Sequence, residues 1–139
     1  MENKEKLKKL QNKYFCKINY IDMQSYFADA PNKLAHATNQ SYYRLMLASI
    51  VPQYKKMLYL DVDIIVNTDL SELYDVNLEG NYYGGVRHPT YYLGNWGGHC
   101  KLLDIPDLHS YINAGVLLIN LEKIREDNLE PILINASKK

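Results

Sequence analysis

The chain is 139 residues long, 47% hydrophobic and 23% charged, with 16 basic and 16 acidic side chains. These values describe one globular domain, long enough to bury roughly two-thirds of its unfolded surface. Zero net charge argues against a nucleic-acid partner, which needs a basic surplus, and no apolar run approaches the ~18 residues of a membrane span.

Glu2 to Tyr14 is lysine-rich and helical by propensity, with Leu7 and Leu10 as a thin apolar edge, and it lacks the apolar segment of a signal peptide. Phe15 to Ile21 alternates well enough to predict a strand, ended by Asp22. Met23 to Lys33 contains the turn signal Ala30-Pro31-Asn32 and reads as a short helix and then a loop. Cys16 and Cys100 are too few and too far apart for a disulfide framework or a zinc site, which leaves reduced thiols in a cytosolic compartment.

Thr38 or Asn39 can cap the next helix, Ser41 to Ile50, which Pro52 stops. That helix is apolar nearly all round, as a buried element is, and Arg44 is its only charge. A guanidinium there needs an anionic partner. Its planar fork suits a phosphate, or a core carboxylate such as one of the aspartates that follow.

Leu58-Tyr59-Leu60-Asp61-Val62-Asp63-Ile64-Ile65-Val66 reads as a central strand covered on both faces, carrying two carboxylates one residue apart. Burying an unpaired carboxylate costs several kcal/mol, comparable with the net stability of a domain. A divalent cation removes that cost, and Asp-x-Asp offers a hard metal two oxygens while leaving positions for water and substrate phosphates. The other reading places both carboxylates idle on the surface at a strand end. No glycine follows until Gly80, so an EF-hand loop is excluded. A phosphohydrolase of the haloacid dehalogenase kind would need further polar motifs and a late acidic pair.

Thr68 or Asp69 caps a short helix whose Leu70, Leu73 and Tyr74 point inward. Asn77 to Asn81 is a turn, and Tyr82 to Val86 is a strand whose Gly84-Gly85 suits a bulge or a close backbone approach. Arg87 to Leu108, with three glycines and two prolines around Trp96, is an irregular loop of functional length. His88, His99 and His109 are too scattered for metal ligands. Tyr111-Ile112-Asn113-Ala114-Gly115 places a turn before a buried strand, Val116 to Ile119. Leu121 to Glu126 begins a helix, and Asn128 to Lys139 is a polar tail, short of any recognisable finish. The 13 tyrosines suit half-buried positions and the walls of carbohydrate sites.

Alternation of strands and helices points to an α/β sandwich of the Rossmann-like kind, mostly parallel, with a site at the carboxyl ends of strands. Four motifs stand in one order: Ser41-Tyr42-Tyr43-Arg44-Leu45, Lys56 to Asp63, Asp69 to Tyr74, and Tyr111 to Leu121. Over roughly residues 10–130 this pattern resembles glycosyltransferase family 8, retaining transferases that use a UDP-sugar and include lipopolysaccharide galactosyl- and glucosyltransferases.

The resemblance implies a GT-A type nucleotide-diphospho-sugar transferase fold and a hexose donor, UDP-glucose or UDP-galactose. It implies Mn2+ or Mg2+ on Asp61 and Asp63, with Arg44 facing the donor diphosphate and sugar. It also implies that Asn113, Ala114 and Gly115 line the sugar pocket, where the asparagine amide meets sugar hydroxyls. From the residues alone, Asn113 could equally bond its own backbone. The acceptor implied is a glycan or a lipopolysaccharide-type molecule. His88, however, stands where a lipopolysaccharide-building relative carries an acceptor-contacting aspartate, which implies a different acceptor. No nucleophile or general base is identified.

Residues 1–139 are expected to form a single partial domain, truncated at both ends. The first strand with its uracil-binding loop would precede Glu2, and an acidic residue and a metal-binding histidine would follow Ser137. The chain alone is therefore expected to be inactive and to self-associate through an exposed sheet edge. Its expected location is cytoplasmic, peripheral at the inner face of the membrane. A non-catalytic remnant of a transferase and a metal-dependent phosphohydrolase are the alternatives.

Overall fold

The computed structural model describes residues 2–23, 39–87 and 111–137. The expected helix-loop over Met23 to Lys33, the cap at Thr38, and His88, Trp96, His99, Cys100 and His109 lie outside the described residues, apart from Met23.

Helix α1 (Glu2–Tyr14) matches its predicted span. It ends in a Schellman turn: Phe15 adopts φ +51°, and Cys16 N–H reaches back to the Gln11 carbonyl at 3.2 Å. The strand expected over Phe15 to Ile21 does not form. Its alternation is present, but no described segment pairs with it, and Phe15 is 96% exposed. Alternating side chains without a neighbouring ladder leave the backbone in coil.

A 3-10 helix (Asn39–Met46) runs into the short α2 (Leu47–Ile50), where the sequence predicts one continuous helix. Strand β1 is Lys56–Leu60, followed by α3 (Ser71–Asp75) and β2 (Tyr83–Arg87). Strand β3 (Ile112–Asn120) leads directly into α4 (Leu121–Glu126), whose span is as predicted, and then α5 (Glu130–Ser137).

The predicted polar tail is thus helical from Glu130. A second Schellman turn joins it to α4. Asn128 sits at φ +50°, its N–H bonds Arg125 O at 3.1 Å, and Leu129 N–H bonds Ile124 O at 2.9 Å.

The three strands form one sheet in the order β1-β3-β2. β1 pairs antiparallel with β3, from Lys56 opposite Asn120 to Leu60 opposite Val116. β2 pairs antiparallel with the other side of β3, with a register shift between Gly85 and Arg87. The α/β class stands, but the mostly parallel sheet expected is not found among the described residues. β1 and β2 do point the same way, as strand–helix alternation suggests; β3 enters between them in the opposite direction.

β3 therefore takes the central place assigned to β1. β1 is half-buried along its length and lies at the edge of the described sheet. The second apolar run is not strand either: Val62-Asp63 turns, and Val62 and Ile65 are exposed.

Leu117 and Ile119 face α2 and α4 and form the core with Ala48, Val51, Leu121 and Ile124; Met57, Tyr59, Tyr82, Tyr83 and Leu129 pack around it. Leu118 and Val116 alternate to the other face, where with Leu73, Val76 and Gly84-Gly85-Val86 they line a cavity of about 230 Å³. A Cβ on Gly84 would stand 2.8 Å from Leu78 and one on Gly85 3.0 Å from Ile112. The bulge expected of the glycine pair is present, and the close contacts at both glycines come from side chains.

Candidate functional site

The chain leaves β1 after Leu60, and Asp61 is held at once by its N–H to Gly115 O at 2.9 Å. The ladder of β1 on β3 therefore continues one step past the strand and fixes Asp61 beside the start of β3. Strand alternation puts Tyr59 and Asp61 on one side. The Tyr59 hydroxyl donates to Asp61 Oδ1 at 2.6 Å. Arg44 from the 3-10 helix reaches the same oxygen, with Nη2 at 3.2 Å. Its guanidinium lies 4.7 Å over the Tyr59 ring, and Nη1 donates to the Ala114 carbonyl.

Burial and the bond to Asp61 push the Tyr59 hydroxyl up to about 12, so it remains a donor at neutral pH. The Arg44 side chain is 14% exposed and that of Asp61 33%. This is the carboxylate pairing that the sequence offers Arg44 as its alternative to phosphate. Each of these half-buried charges supplies the other's partner, which offsets the cost of burying it.

Asp63 is exposed on the turn that follows, and no hydrogen bond or ion pair engages it among the described residues. Both carboxylates lie at the carboxyl end of β1. Asn113, Ala114 and Gly115 lie in β3 itself, not in a turn before it, because β2 pairs as far along as Ile112 and β1 as far as Val116. The Asn113 Oδ1 accepts from Gly115 N at 2.7 Å, which is the self-bonding alternative for this asparagine. A Cβ on Gly115 would meet Asn113 Oδ1 at 3.0 Å and Asp61 Oδ2 at 3.1 Å. Absence of a side chain there leaves a notch beside Oδ2.

The six sequence-predicted positions are thus brought together in part. Arg44, Asp61, Ala114 and Gly115 are in direct contact, Asn113 bonds Gly115, and Asp63 stands apart on the turn. Tyr59 belongs to the cluster and had no role assigned; its spacing of two from Asp61 in a strand is the signal that could have found it.

No group of three His, Cys, Asp or Glu side chains assembles among the described residues. The donor set nevertheless fits a divalent cation of the hard kind. Mg2+ and similar ions are commonly held by one or two carboxylates, keeping waters and substrate phosphates in the remaining positions. Asp61 Oδ2 lies beside the Gly115 notch, and Asp63 is unencumbered among the described residues.

Comparisons with known proteins bear on the family and the fold. The family model described as glycosyl transferase family 8 matches residues 1–139. A Haemophilus influenzae protein that carries a glycosyltransferase name is 32% identical over 139 residues, covering 99% of this chain and 42% of its own length. General stress protein A of Bacillus subtilis is 25% identical, over 96% of this chain and 46% of its own.

Among solved structures, the galactosyltransferase LgtC in complex with donor and acceptor sugar analogues aligns with a TM-score of 0.67 and 30% identity. That alignment covers 85% of this chain and 42% of LgtC. The bifunctional glycosyltransferase WbbM, at 22% identity and TM-score 0.69, shares the fold. The chain spans less than half the length of the curated relatives named here. Its fold is of the GT-A type, and the chain belongs to glycosyl transferase family 8.

Proposed function

We propose that the protein transfers a hexose from a UDP-sugar, UDP-glucose or UDP-galactose, to a glycan acceptor with retention at the anomeric carbon. The observation that carries the reading is the convergence of Arg44, Asp61 and Gly115 at the carboxyl end of β1, with Asp63 two residues beyond. In the reaction the bond between the anomeric carbon and the diphosphate oxygen breaks and UDP leaves with the bonding pair, while the acceptor hydroxyl oxygen bonds that carbon and its proton is released to solvent.

Mn2+ or Mg2+ on Asp61 and Asp63 would neutralise the diphosphate and stabilise the leaving UDP. Arg44 presents a guanidinium to the same oxygens, held in place by Tyr59 below and the Ala114 carbonyl beside it. Asn113, Ala114 and Gly115 border the sugar. Gly115 keeps that border open, since a side chain would enter the space at Asp61 Oδ2.

The acceptor we infer is a glycan, supported by the donor and acceptor sugar analogues bound in LgtC. We place the reaction in the cytoplasm, at the inner face of the membrane. The exposed free thiol of Cys16 suits a reducing compartment, and no described helix is long and apolar enough to cross a bilayer.

Calorimetry of a full-length family relative with Mn2+ and a panel of nucleotide sugars tests the donor, and transfer assays on the same protein test the reaction. UDP-glucose or UDP-galactose is expected to bind above GDP- and CMP-sugars, with hexose transfer by the relative. Hydrolysis of phosphate monoesters without any sugar transfer would overturn the assignment in favour of a phosphohydrolase.

A further inference from the structure

Among the described residues, Asp61 has Oδ1 engaged by two partners and Oδ2 beside the backbone of Gly115, and the division is the work of its neighbours. Tyr59 and Arg44 both engage Oδ1, at 2.6 and 3.2 Å. Oδ2 lies where a Gly115 side chain would come within 3.1 Å. A carboxylate on a rotatable stem does not keep such an arrangement by itself. Arg44 alone could bridge either oxygen, because a guanidinium offers five donors.

The tyrosine hydroxyl has a single proton, and its ring is anchored by packing on the core cluster beneath Arg44. Tyr59 can therefore bond only the oxygen that faces it, and that choice decides which oxygen remains.

We propose that Tyr59 is a positioning residue of the diphosphate site. Its hydroxyl holds Asp61 by Oδ1, so that Oδ2 is the atom offered to a divalent cation, while its ring carries the Arg44 guanidinium. The proposal rests on Asp61 being a metal ligand, as argued above. Carboxylate ligands are generally oriented by such partners, and loss of the partner weakens metal affinity about 10- to 100-fold.

The test compares the unaltered 139-residue chain with Tyr59→Phe, which keeps the ring under Arg44 and removes only the hydroxyl. Free Mn2+ is followed by electron paramagnetic resonance, with and without UDP, and thermal melting is followed by circular dichroism. At least tenfold weaker Mn2+ binding by Tyr59→Phe at an unchanged melting temperature is expected. Equal affinity in the two proteins overturns the role of Tyr59 and leaves the ligand assignment standing. Absence of Mn2+ binding by the unaltered chain, even with saturating UDP, overturns the ligand assignment and this proposal together.

If Tyr59→Phe melts at a lower temperature, 3-fluorotyrosine at position 59 supplies the readout within an intact ring. Its fluorine resonance is expected to shift on saturation with Mg2+, and an unmoved resonance overturns the proposal.

Discussion

Asp61 and Asp63 are two residues apart and share one proposed role, yet they stand in different surroundings. Asp61 is tied to Arg44, Tyr59 and the backbone of Gly115, whereas Asp63 is exposed on a turn. Alanine at either position is expected to abolish Mn2+-dependent UDP binding, and Arg44→Ala to weaken UDP binding while leaving Mn2+ binding in place. The stability effects should separate the two aspartates. Asp61→Ala removes a partner from a half-buried guanidinium and should cost about 1 kcal/mol, the bond being partly solvent-screened. Asp63→Ala should stay within about 0.5 kcal/mol. Urea unfolding gives these numbers, and calorimetry gives the binding. Unchanged UDP affinity in both variants would sink the site.

Tyr83 on β2 gives the residue scale its pH signature. Burial first, and then the Glu130 charge, push its hydroxyl up to about 12. The folded value lies above that of free tyrosine, so the stabilisation is whole below about pH 10 and is lost as pH rises through the folded value. Alkaline melting curves should therefore fall between about pH 10 and 12, and Tyr83→Phe should fall less steeply than the parent. Coincident curves would contradict the burial assigned to this hydroxyl.

Among the elements, α4 is the joint of the described core. Asn120 ends β3 and caps the helix, its side-chain oxygen accepting from Lys123 N at 3.0 Å. Arg125 reaches back across the core and donates to the carbonyls of Ala48 and Tyr54, both at 2.9 Å. Leu121 and Ile124 fill the space between. Asn120→Ala should destabilise by about 1 kcal/mol through loss of the cap. Arg125→Ala should cost about 1–3 kcal/mol, because the partly buried Ala48 carbonyl and the exposed Tyr54 carbonyl lose a charged donor. Chemical denaturation of both variants checks the order, and the reverse order would mean that α4 is held mainly by its cap.

For the molecule as a whole, the described sheet has two outer strands, β1 and β2, and three strands in all. The β2 side carries a bulge between Gly85 and Arg87, a feature that disfavours edge pairing, which leaves β1 the better template. Exposed apolar side chains stand elsewhere, including Phe15, Val62, Ile65 and Ile132, and the net charge is zero. Little repulsion then opposes association of copies. We expect the 139-residue chain to be a dimer or larger species in size-exclusion chromatography with light scattering. We also expect no appreciable UDP release from UDP-glucose or UDP-galactose with Mn2+, since only two carboxylates are placed for the metal among the described residues. A stable monomer that turns over either donor would overturn both expectations.

Local pattern was enough for several features of this chain. The spans of α1 and α4 and the need of Arg44 for an anionic partner were legible from propensity, pattern and charge. The ordered motifs pointed to the family that the comparisons establish. What tertiary structure alone decided is non-local. Period-two alternation marks a strand but names neither its neighbour nor its direction, so β3 could not be seen entering antiparallel between β1 and β2. For the same reason Phe15 to Ile21 read as a strand without a partner, and Asn113-Ala114-Gly115 read as a turn. Which oxygen of Asp61 is held and which is left open depends on Tyr59, Arg44 and Gly115 arriving from three separate segments, and only their packing brings them to one carboxylate.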